Sequence, residues 1–586
     1  MIENIKKNIA ERLLSAIYST YEIRISNLEL DFPPDIKLGD FSFSCFSLAA
    51  TVKKSPVEIA EELAAVIKKE DLEIKEITAT GPYLNFKVNE EALFGSLIEE
   101  IGDQDGAYLR SERNKSERIM VEYLSPNTNK PLHLGHLRNG SLGMAISNLL
   151  DNSGAFLIKA NLINDRGIHI CKSMLAWQKW GDNSTPETLK MKGDHFVGHW
   201  YVEYSKQLES HPEIDEEARE MLRRWEDGDP GVRKLWEQMN SWVYEGFEET
   251  FKNLNFQFDK IYYESETYNL GKDLIAIGLK KGIFKKEASG AITASLPAEQ
   301  FGTEKDGALK KTTLIRPDGT SVYITQDLGT AKLKIDENNL TQSIYVVGSE
   351  QDYHFQSLFQ LLKMLGFAWA ERLFHLSYGM VYLPEGKMKS REGKIVDADD
   401  LVLHMTEMAK EEIESRDQDD ELTEGEISFR SKIVADAAIK YYLLQYNPRQ
   451  DIHFDPKVSL SFEGNTGPYC LYTYARAKSI LAKVDRNESG EFDYSLLVQV
   501  EEKIIANRLI DLKEKANHAA LELNPAQLVT ALFELCKAFN QYYHKHQVIG
   551  EKNTKLKNAR LLLVKSVASV IKESLSLLNI KVLEKM

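Results

Sequence analysis

Cysteine is scarce in this chain: four in 586 residues (Cys45, Cys171, Cys470 and Cys536), scattered without metal-ligand spacing. That argues against a zinc cluster or a disulfide framework and favours small core residues, so no metal site of the protein's own is expected. Also missing is any apolar run of membrane-spanning length. The opening MIENIKKNIAERLLSAIYSTYEI carries mixed charges through an amphipathic repeat in place of a signal peptide's apolar core, so a cytoplasmic protein without a membrane partner is expected. No internal repeat or low-complexity tract stands out. Positive charge is in deficit, 73 Lys and Arg against 89 Asp and Glu, a net of −16 that by itself argues against a nucleic-acid partner. Its distribution argues otherwise. Between Lys537 and Lys572 eight basic residues face one acid, Glu551, a local net of +7, while acid collects in EEIESRDQDDELTEGE.

What is present divides into three parts. Residues 1–112 read as a small α+β domain, with FSFSCFSLAATV alternating, VEIAEELAAVIKK helical and EITATGPYLNFKV patterned like an edge strand. DQDGAYLRSERNKSE is the best linker. From there to residue 399, RIMVEYLS, a glycine-rich turn, MAISNLLDNSG and FLIKANLIN read as strand, turn, helix, strand. That is a βαβ unit of a doubly wound parallel sheet, and similar units are expected at SVYITQDLGTAKLK and SIYVVGSEQDYHFQSLFQLLKMLG. An aromatic-rich helical insertion occupies about 181–260. Residues 400–586 are almost entirely helix-forming and predict an all-α bundle.

The turn itself, SPNTNKPLHLGHLRNGSLG, places His133 and His136 on one face of a helix start with Gly135 between them. Free N–H groups and the positive end of the helix dipole make such a place a natural polyphosphate site. Two imidazoles there can donate hydrogen bonds to oxygens that gain charge during displacement at phosphorus. An isolated HxGH is short enough to be a pair of structural histidines. The second feature is GKMKSREGKIV, where Lys387, Lys389, Arg391 and Lys394 are too crowded for a packed element and suit a loop that closes on polyphosphate.

In this order the two resemble the signature pair of class I aminoacyl-tRNA synthetases, the HIGH motif (HLGH, 133–136) and the KMSKS motif (KMKSR, 387–391). VEYLSPNTNKPLHLGHLRNGSLG, DGTSVYITQDLG, YVVGSEQDYHFQSLFQLL, EGNTGPYCLYTYARAKSI and GPYLNFKV resemble the corresponding segments of arginyl-tRNA synthetases, so the likeness covers essentially the whole chain. It implies a Rossmann-type catalytic domain between an N-terminal domain that touches the tRNA elbow and a C-terminal helical domain that binds the anticodon.

By the same resemblance, ATP with Mg²⁺ as its counter-ion meets His133, Gly135, His136, Lys387, Lys389 and Ser390. Lys130, His133, His136 and Lys387 would stabilise the reacting phosphorus and departing pyrophosphate. Ser390 stands where most class I enzymes have the loop's second lysine, and either Lys130 or Lys389 supplies that charge. A guanidinium needs carboxylates and carbonyl-type acceptors in a planar arrangement. The matching positions are Glu122, Asn127, Tyr323, Asp327 and Gln351. Asp327 and Tyr323 are assigned to the guanidinium with Glu122 nearby, and Asn127 and Gln351 to the amino-acid end.

The implied reaction joins L-arginine to tRNA(Arg) through an arginyl-adenylate, with tRNA needed for the first step, in a monomer. Tyr469, Tyr472 and Tyr542, with Lys552, Lys555, Lys557 and Arg560, are the expected tRNA contacts. Of the rivals, a cysteine enzyme would need a zinc-type cysteine cluster, an amide-specific one would not need a carboxylate-rich pocket, and simple nucleotidyltransferases lack the bundle. A non-catalytic tRNA-binding paralogue would not need both motifs and all five pocket positions.

Overall fold

The structure is a computed structural model that describes residues 2–25, 28–67, 73–104, 106–384, 396–416, 422–484 and 490–586. The chain separates into two compact units, one of Met1–Arg110, Ser461–Ala519 and Gln527–Met586, the other of Ser111–Leu460 with Ala520–Ala526.

In the first unit, strands β1 (Phe41–Ser44), β2 (Ile74–Thr80) and β3 (Tyr83–Val88) form an antiparallel sheet in the order β1-β3-β2. GPYLNFKV therefore supplies the central strand, not an edge. Its outward alternation is broken because Leu84, Asn85 and Phe86 are all buried. The helix Pro56–Val66 starts where Ser55 and Glu58 close a capping box, as its sequence predicts. Four long helices, Gly467–Ala482, Val500–Leu521, Ala526–Lys545 and Thr554–Leu577, make the bundle. Buried carboxylates tie the opening segment to it: Glu90 to Lys503 (2.8 Å), Glu100 to Lys513 (2.7 Å), and Glu573 to the Leu109 N–H (2.8 Å).

The second unit is built on a five-stranded, fully parallel sheet. Its strands are β4 (Arg118–Glu122), β5 (Phe156–Ile163), β6 (Lys260–Tyr263), β10 (Gln342–Gly348) and β11 (Leu373–Tyr378), in the order β11-β10-β4-β5-β6. The chain starts in the middle at β4, fills one side with β5 and β6, then crosses to β10 and β11. This bears out the doubly wound fold and puts the switch point at the carboxyl end of β4, where such sheets bind ligands. Met120, Leu162, Leu274, Leu328, Leu361 and Leu362 are among the residues of its core.

Between β6 and β10 lies a separate antiparallel sheet of β7 (Phe284–Lys286), β8 (Ile292–Ser295) and β9 (Lys311–Ile315). SVYITQDLGTAKLK is thus not a further strand-and-helix unit of the main sheet. Val322 is extended and Tyr323–Asn338 is one helix, whose buried Ile324, Leu328, Ala331 and Ile335 follow helical spacing that outweighs the β-rich start. The insertion is helical, with Gly193–Leu208, Ile214–Glu226 and Pro230–Asn253 its longer members. Helices Ala398–Arg416 and Glu424–Leu444, which the sequence groups with the bundle, belong to the sheet-containing unit, and the second is buried almost continuously from Val434 to Leu444.

Two features hold the helix Leu134–Asn152 on the sheet. Gly143 allows close approach, since a Cβ there would stand 2.2 Å from the Tyr123 ring. Arg138, fully buried, donates to four carbonyls: Gly379 (2.6 Å), Met380 (3.2 Å), Pro448 (2.8 Å) and Gln450 (2.7 Å). Burial lowers its pKa to about 10, yet it stays charged. Two of those carbonyls flank the short parallel pair of β12 (Val381–Tyr382) and β13 (Ile452–His453). Arg138→Met is expected to cost about 3 kcal/mol or more, because it strands buried acceptors that one guanidinium now serves. Urea unfolding followed at the sheet-containing unit measures it, and a loss under about 1 kcal/mol would contradict this account.

Candidate active site

β4 ends at Glu122, and the backbone then turns sharply: Leu124 and Ser125 have φ of 71° and 46°. Neither is glycine, so the turn is strained by roughly 1–3 kcal/mol per residue and needs external support. Asn139, from the following helix, accepts the Leu124 N–H at 2.5 Å, and Asn161, from β5, accepts that of Ser125 at 3.1 Å. The turn residues that looked out of place in the sequence are thereby pinned from both sides.

The helix begins at Leu134 with His133 as its N-cap. His133 Nδ1 accepts from the Gly135 N–H (3.1 Å), and His136 Nδ1 accepts from the His133 N–H (3.1 Å). Both Nδ1 atoms are therefore acceptors, which leaves the proton of each neutral ring on Nε2. The rings lie 4.0 Å apart, centre to centre. Burial, reinforced by Lys130, lowers the His133 pKa to about 4; burial, then His133 and Lys130, push His136 well below its usual value. Near neutral pH the pair is two uncharged N–H donors at a helix N-terminus. Gly135 makes the fold-back possible, because a Cβ there would come within 3.0 Å of the His133 ring. Lys130 precedes them, its pKa also lowered by burial.

A second strand of chain lies against this turn. Val396 C=O accepts the Leu134 N–H (3.0 Å), and Leu132 C=O accepts that of Ala398 (3.0 Å), so His133 and Asp397 pair antiparallel. Val396 follows the basic segment directly in sequence. That segment, with Lys387, Lys389, Ser390, Arg391 and Lys394, lies outside the described residues.

Of the five expected arginine contacts, Glu122, Asn127 and Gln351 lie at or just after the carboxyl ends of β4 and β10, whereas Tyr323 and Asp327, expected around a strand end, lie on the Tyr323–Asn338 helix that follows the separate antiparallel sheet, and their environments differ. Glu122 is buried and already ion-paired to Lys334, which is itself buried between Tyr262 and Tyr345. Asp327 sits in the first turns of the Tyr323–Asn338 helix and accepts from His354 Nε2 at 2.6 Å. Tyr323, the first residue of that helix, is 68% exposed, and Asn127 and Gln351 are exposed too.

Two acids missed in the sequence lie here. Glu264 follows β6, and burial raises its pKa to about 7, the charges of Asp165 and Asp327 adding to the effect while a hydrogen bond from Gln326 and the charge of Arg166 oppose it. Asp165 follows β5 and is buried. It accepts from the Ser265 N–H (2.8 Å), Ser265 Oγ (2.7 Å) and Tyr244 Oη (2.9 Å), which fixes the start of the Glu264–Thr267 turn. Arg166 stands 3.9 Å from Glu264 and stacks 4.2 Å from the Tyr268 ring. The signal available was positional: each acid comes directly after a strand of the sheet, as DRGIHI and YYESE show.

Among the described residues, Asp194, His195 and Asp399 approach one another as metal ligands would. The ammonium of Lys192 lies 2.6 Å from Asp399 and 3.3 Å from Asp194, so the charge is met from within the chain.

In the other unit, Tyr472 and Tyr543 are exposed and flank Arg476, whose guanidinium lies 4.7 and 4.8 Å from their rings; Tyr469 is half-buried. Lys552, Lys555 and Lys557 reach the surface, with Lys555 paired to Glu491 at 2.9 Å. Two expected tRNA contacts are corrected. Tyr542 is wholly buried, stacked on His546, and Arg560 is buried with Glu502 (2.8 Å) and Glu551 (3.0 Å). Both belong to the bundle's interior, where their helices' inward faces put them.

Residues 98–456 match the family of class I tRNA synthetases (R), catalytic domain; residues 470–586 match the DALR anticodon binding domain, and 3–88 the arginyl tRNA synthetase N-terminal domain. The chain is 41% identical to the arginine--tRNA ligase of Parabacteroides distasonis, over 99% of this chain and 100% of the relative. To that of Treponema denticola it is 42% identical, over 95% of each. A Thermus thermophilus arginyl-tRNA synthetase structure aligns over 99% of this chain and all of the other with a TM-score of 0.78 at 26% identity.

Proposed function

The chain belongs to the class I arginyl-tRNA synthetases, a family of ATP-using arginine--tRNA ligases, and from that premise we propose a two-step reaction at the β4 switch point. The arginine carboxylate attacks the α-phosphorus of ATP, the bond to the bridging oxygen breaks, and pyrophosphate leaves arginyl-adenylate behind. The terminal ribose hydroxyl of tRNA(Arg) then attacks the activated carbonyl carbon and AMP departs. Mg²⁺ enters with ATP as part of the substrate.

The observation that carries this reading is the pair of Nε2–H donors, held by backbone hydrogen bonds at a helix N-terminus. Donors fixed before substrate arrives stabilise charge as it develops on phosphate oxygens, with no reorganisation during the reaction. Lys130 adds positive charge beside them. Lys387, with Lys389 and Ser390, acts on the polyphosphate from the basic segment, and its return at Val396 supports that assignment.

For the amino acid, Asp327 and Glu264 are the carboxylates that bind the guanidinium, with Tyr323 at the pocket's open side; Asn127 and Gln351 hold the amino-acid end. Glu122, already paired to Lys334, shapes the field around the pocket without supplying a vacant carboxylate. On the bundle, Tyr469 and Tyr472 stack on anticodon bases while Lys552, Lys555 and Lys557 meet phosphates. The chain acts as a monomer.

The test is arginine-dependent exchange of labelled pyrophosphate into ATP, with and without tRNA(Arg). Exchange only when that tRNA is present is expected, since tRNA completes the site. Exchange without tRNA overturns that requirement, and exchange driven by another amino acid overturns the pocket.

A further inference from the structure

At this site the helical insertion presents the start of the helix Gly193–Leu208, with Thr250 of the helix Pro230–Asn253 beside it. There Lys192 Nζ lies 2.6 Å from Asp399 Oδ2 and 3.3 Å from Asp194 Oδ2, and it also donates to Thr250 Oγ1. His195 Nε2 lies 3.2 Å from the same Asp399 oxygen and 3.5 Å from Asp397 Oδ2. Thr250 Oγ1 donates to the other Asp399 oxygen at 3.0 Å. Asp397 caps the next helix by accepting the N–H groups of Asp399 (2.8 Å) and Asp400 (3.2 Å), and its backbone is the one paired with His133. One turn further along the insertion helix, a Cβ on Gly198 would stand 2.7 Å from Pro131 Cδ and 3.4 Å from Lys130 Cα.

One helix thus grips both strands of the pair that carries His133. It touches Lys130–Pro131 by close packing at Gly198 and residues 397–399 by charge. Local helix preferences do not explain this arrangement. Two basic residues at a helix N-terminus sit at the wrong end of its dipole, so their placement is accounted for by the carboxylates they meet. The carboxylates, at the start of the Ala398–Arg416 helix, are at the favourable end of theirs. Lys192, Asp194 and Asp397 are mostly withdrawn from solvent, at 17%, 0% and 15% side-chain exposure, so screening is weak compared with a surface pair.

We infer that Lys192, His195 and Gly198 are positioning residues for arginine activation: they brace the HLGH turn against the segment 396–399 without touching substrate. The inference rests on the reaction proposed above. Misplacement of reacting groups by about 1 Å costs roughly a hundredfold in rate, and partial loosening of a brace costs less.

The test uses the full-length protein with tRNA(Arg) and measures kcat and KM for both ATP and arginine in pyrophosphate exchange, alongside thermal unfolding. His195→Gln, Lys192→Met and Gly198→Ala are each expected to lower kcat about tenfold, with KM for arginine within about twofold. His195→Lys, which keeps the charge, is expected to recover most of the loss. His195→Gln combined with Asp399→Asn should lose less than the sum of the two single losses, because the contact they share is counted in both. Glu217→Gln, in a different ion pair of the insertion (to Lys179), serves as the unaffected control. Variants that keep full kcat, or in which activity falls only with the folded fraction, or a Lys variant as poor as the Gln one, overturn the brace alone. A wild-type chain that exchanges no label with arginine overturns the underlying reaction and the brace together.

Discussion

Replacing His136 by alanine lowers arginine activation by about 10²- to 10³-fold, the usual consequence of removing one preorganised donor to developing charge. The replacements that discriminate between mechanisms are the two amides. Because Nδ1 accepts from the backbone and the proton is therefore on Nε2, glutamine places an N–H at the position of that donor. Asparagine can satisfy only the backbone side. The expected order is therefore wild type, then glutamine, then asparagine and alanine together, and the same order holds at His133. Its pKa of about 4 carries a second consequence. The imidazole stays neutral across pH 6–8, so the activity profile there shows no step belonging to it. For stability, a depressed histidine pKa means the unfolded chain binds the proton first. The contribution is whole above the unfolded value of about 6.5 and is lost as pH falls from there to about 4. Single-turnover adenylate formation measures the first claim. An asparagine variant as active as the glutamine one would reverse the tautomer assignment.

Arginine binding tightens as pH rises through about 7, by up to tenfold per unit below that point, and levels off above it. Glu264 is protonated below its raised pKa of about 7, which burial chiefly sets. A guanidinium, always charged, requires the ionised carboxylate, so binding expels the proton when the pH is low. Calorimetry in buffers of different ionisation enthalpy should register a released proton at pH 6 and almost none at pH 8. Glu264→Gln should bind arginine more weakly at pH 8 and lose the dependence. Asp327→Asn should weaken binding by a similar amount yet keep a pH dependence, since Glu264 still titrates. A Glu264→Gln protein with the full slope would place the titrating group elsewhere.

The parts of this molecule most legible in the sequence were those with local signatures. HLGH is both a phosphate-site pattern and a helix start, and the helix begins at Leu134. The strand FLIKANLIN and the unit SIYVVGSEQDYHF also fell where alternation and length put them. What escaped were relations that depend on the partner. GPYLNFKV alternates as an edge strand does, but its place between β1 and β2 is decided by which segments pair with it. Glu122 looks like an available carboxylate until the sheet brings Lys334, more than two hundred residues away, beside it. Tyr542 and Arg560 sit in a basic, aromatic stretch that reads as surface, but helix phase turns both inward. Glu264 and Asp165 carried no motif and became visible only once β5 and β6 were known to end at one rim.

The guanidinium of Arg138 has a consequence in time. Two of the carbonyls it binds are 310 and 312 residues further along the chain. At a synthesis rate of about 5–20 residues per second, those partners leave the ribosome some 15–60 s after Arg138 itself. Until then the nascent signature helix carries a buried charge with at most the Gly379 and Met380 carbonyls to meet it. The HLGH turn therefore reaches its final form only after three-quarters of the polypeptide has been made, and a stalled or truncated product ending before Pro448 is a chain in which the helix that carries this turn is not yet locked.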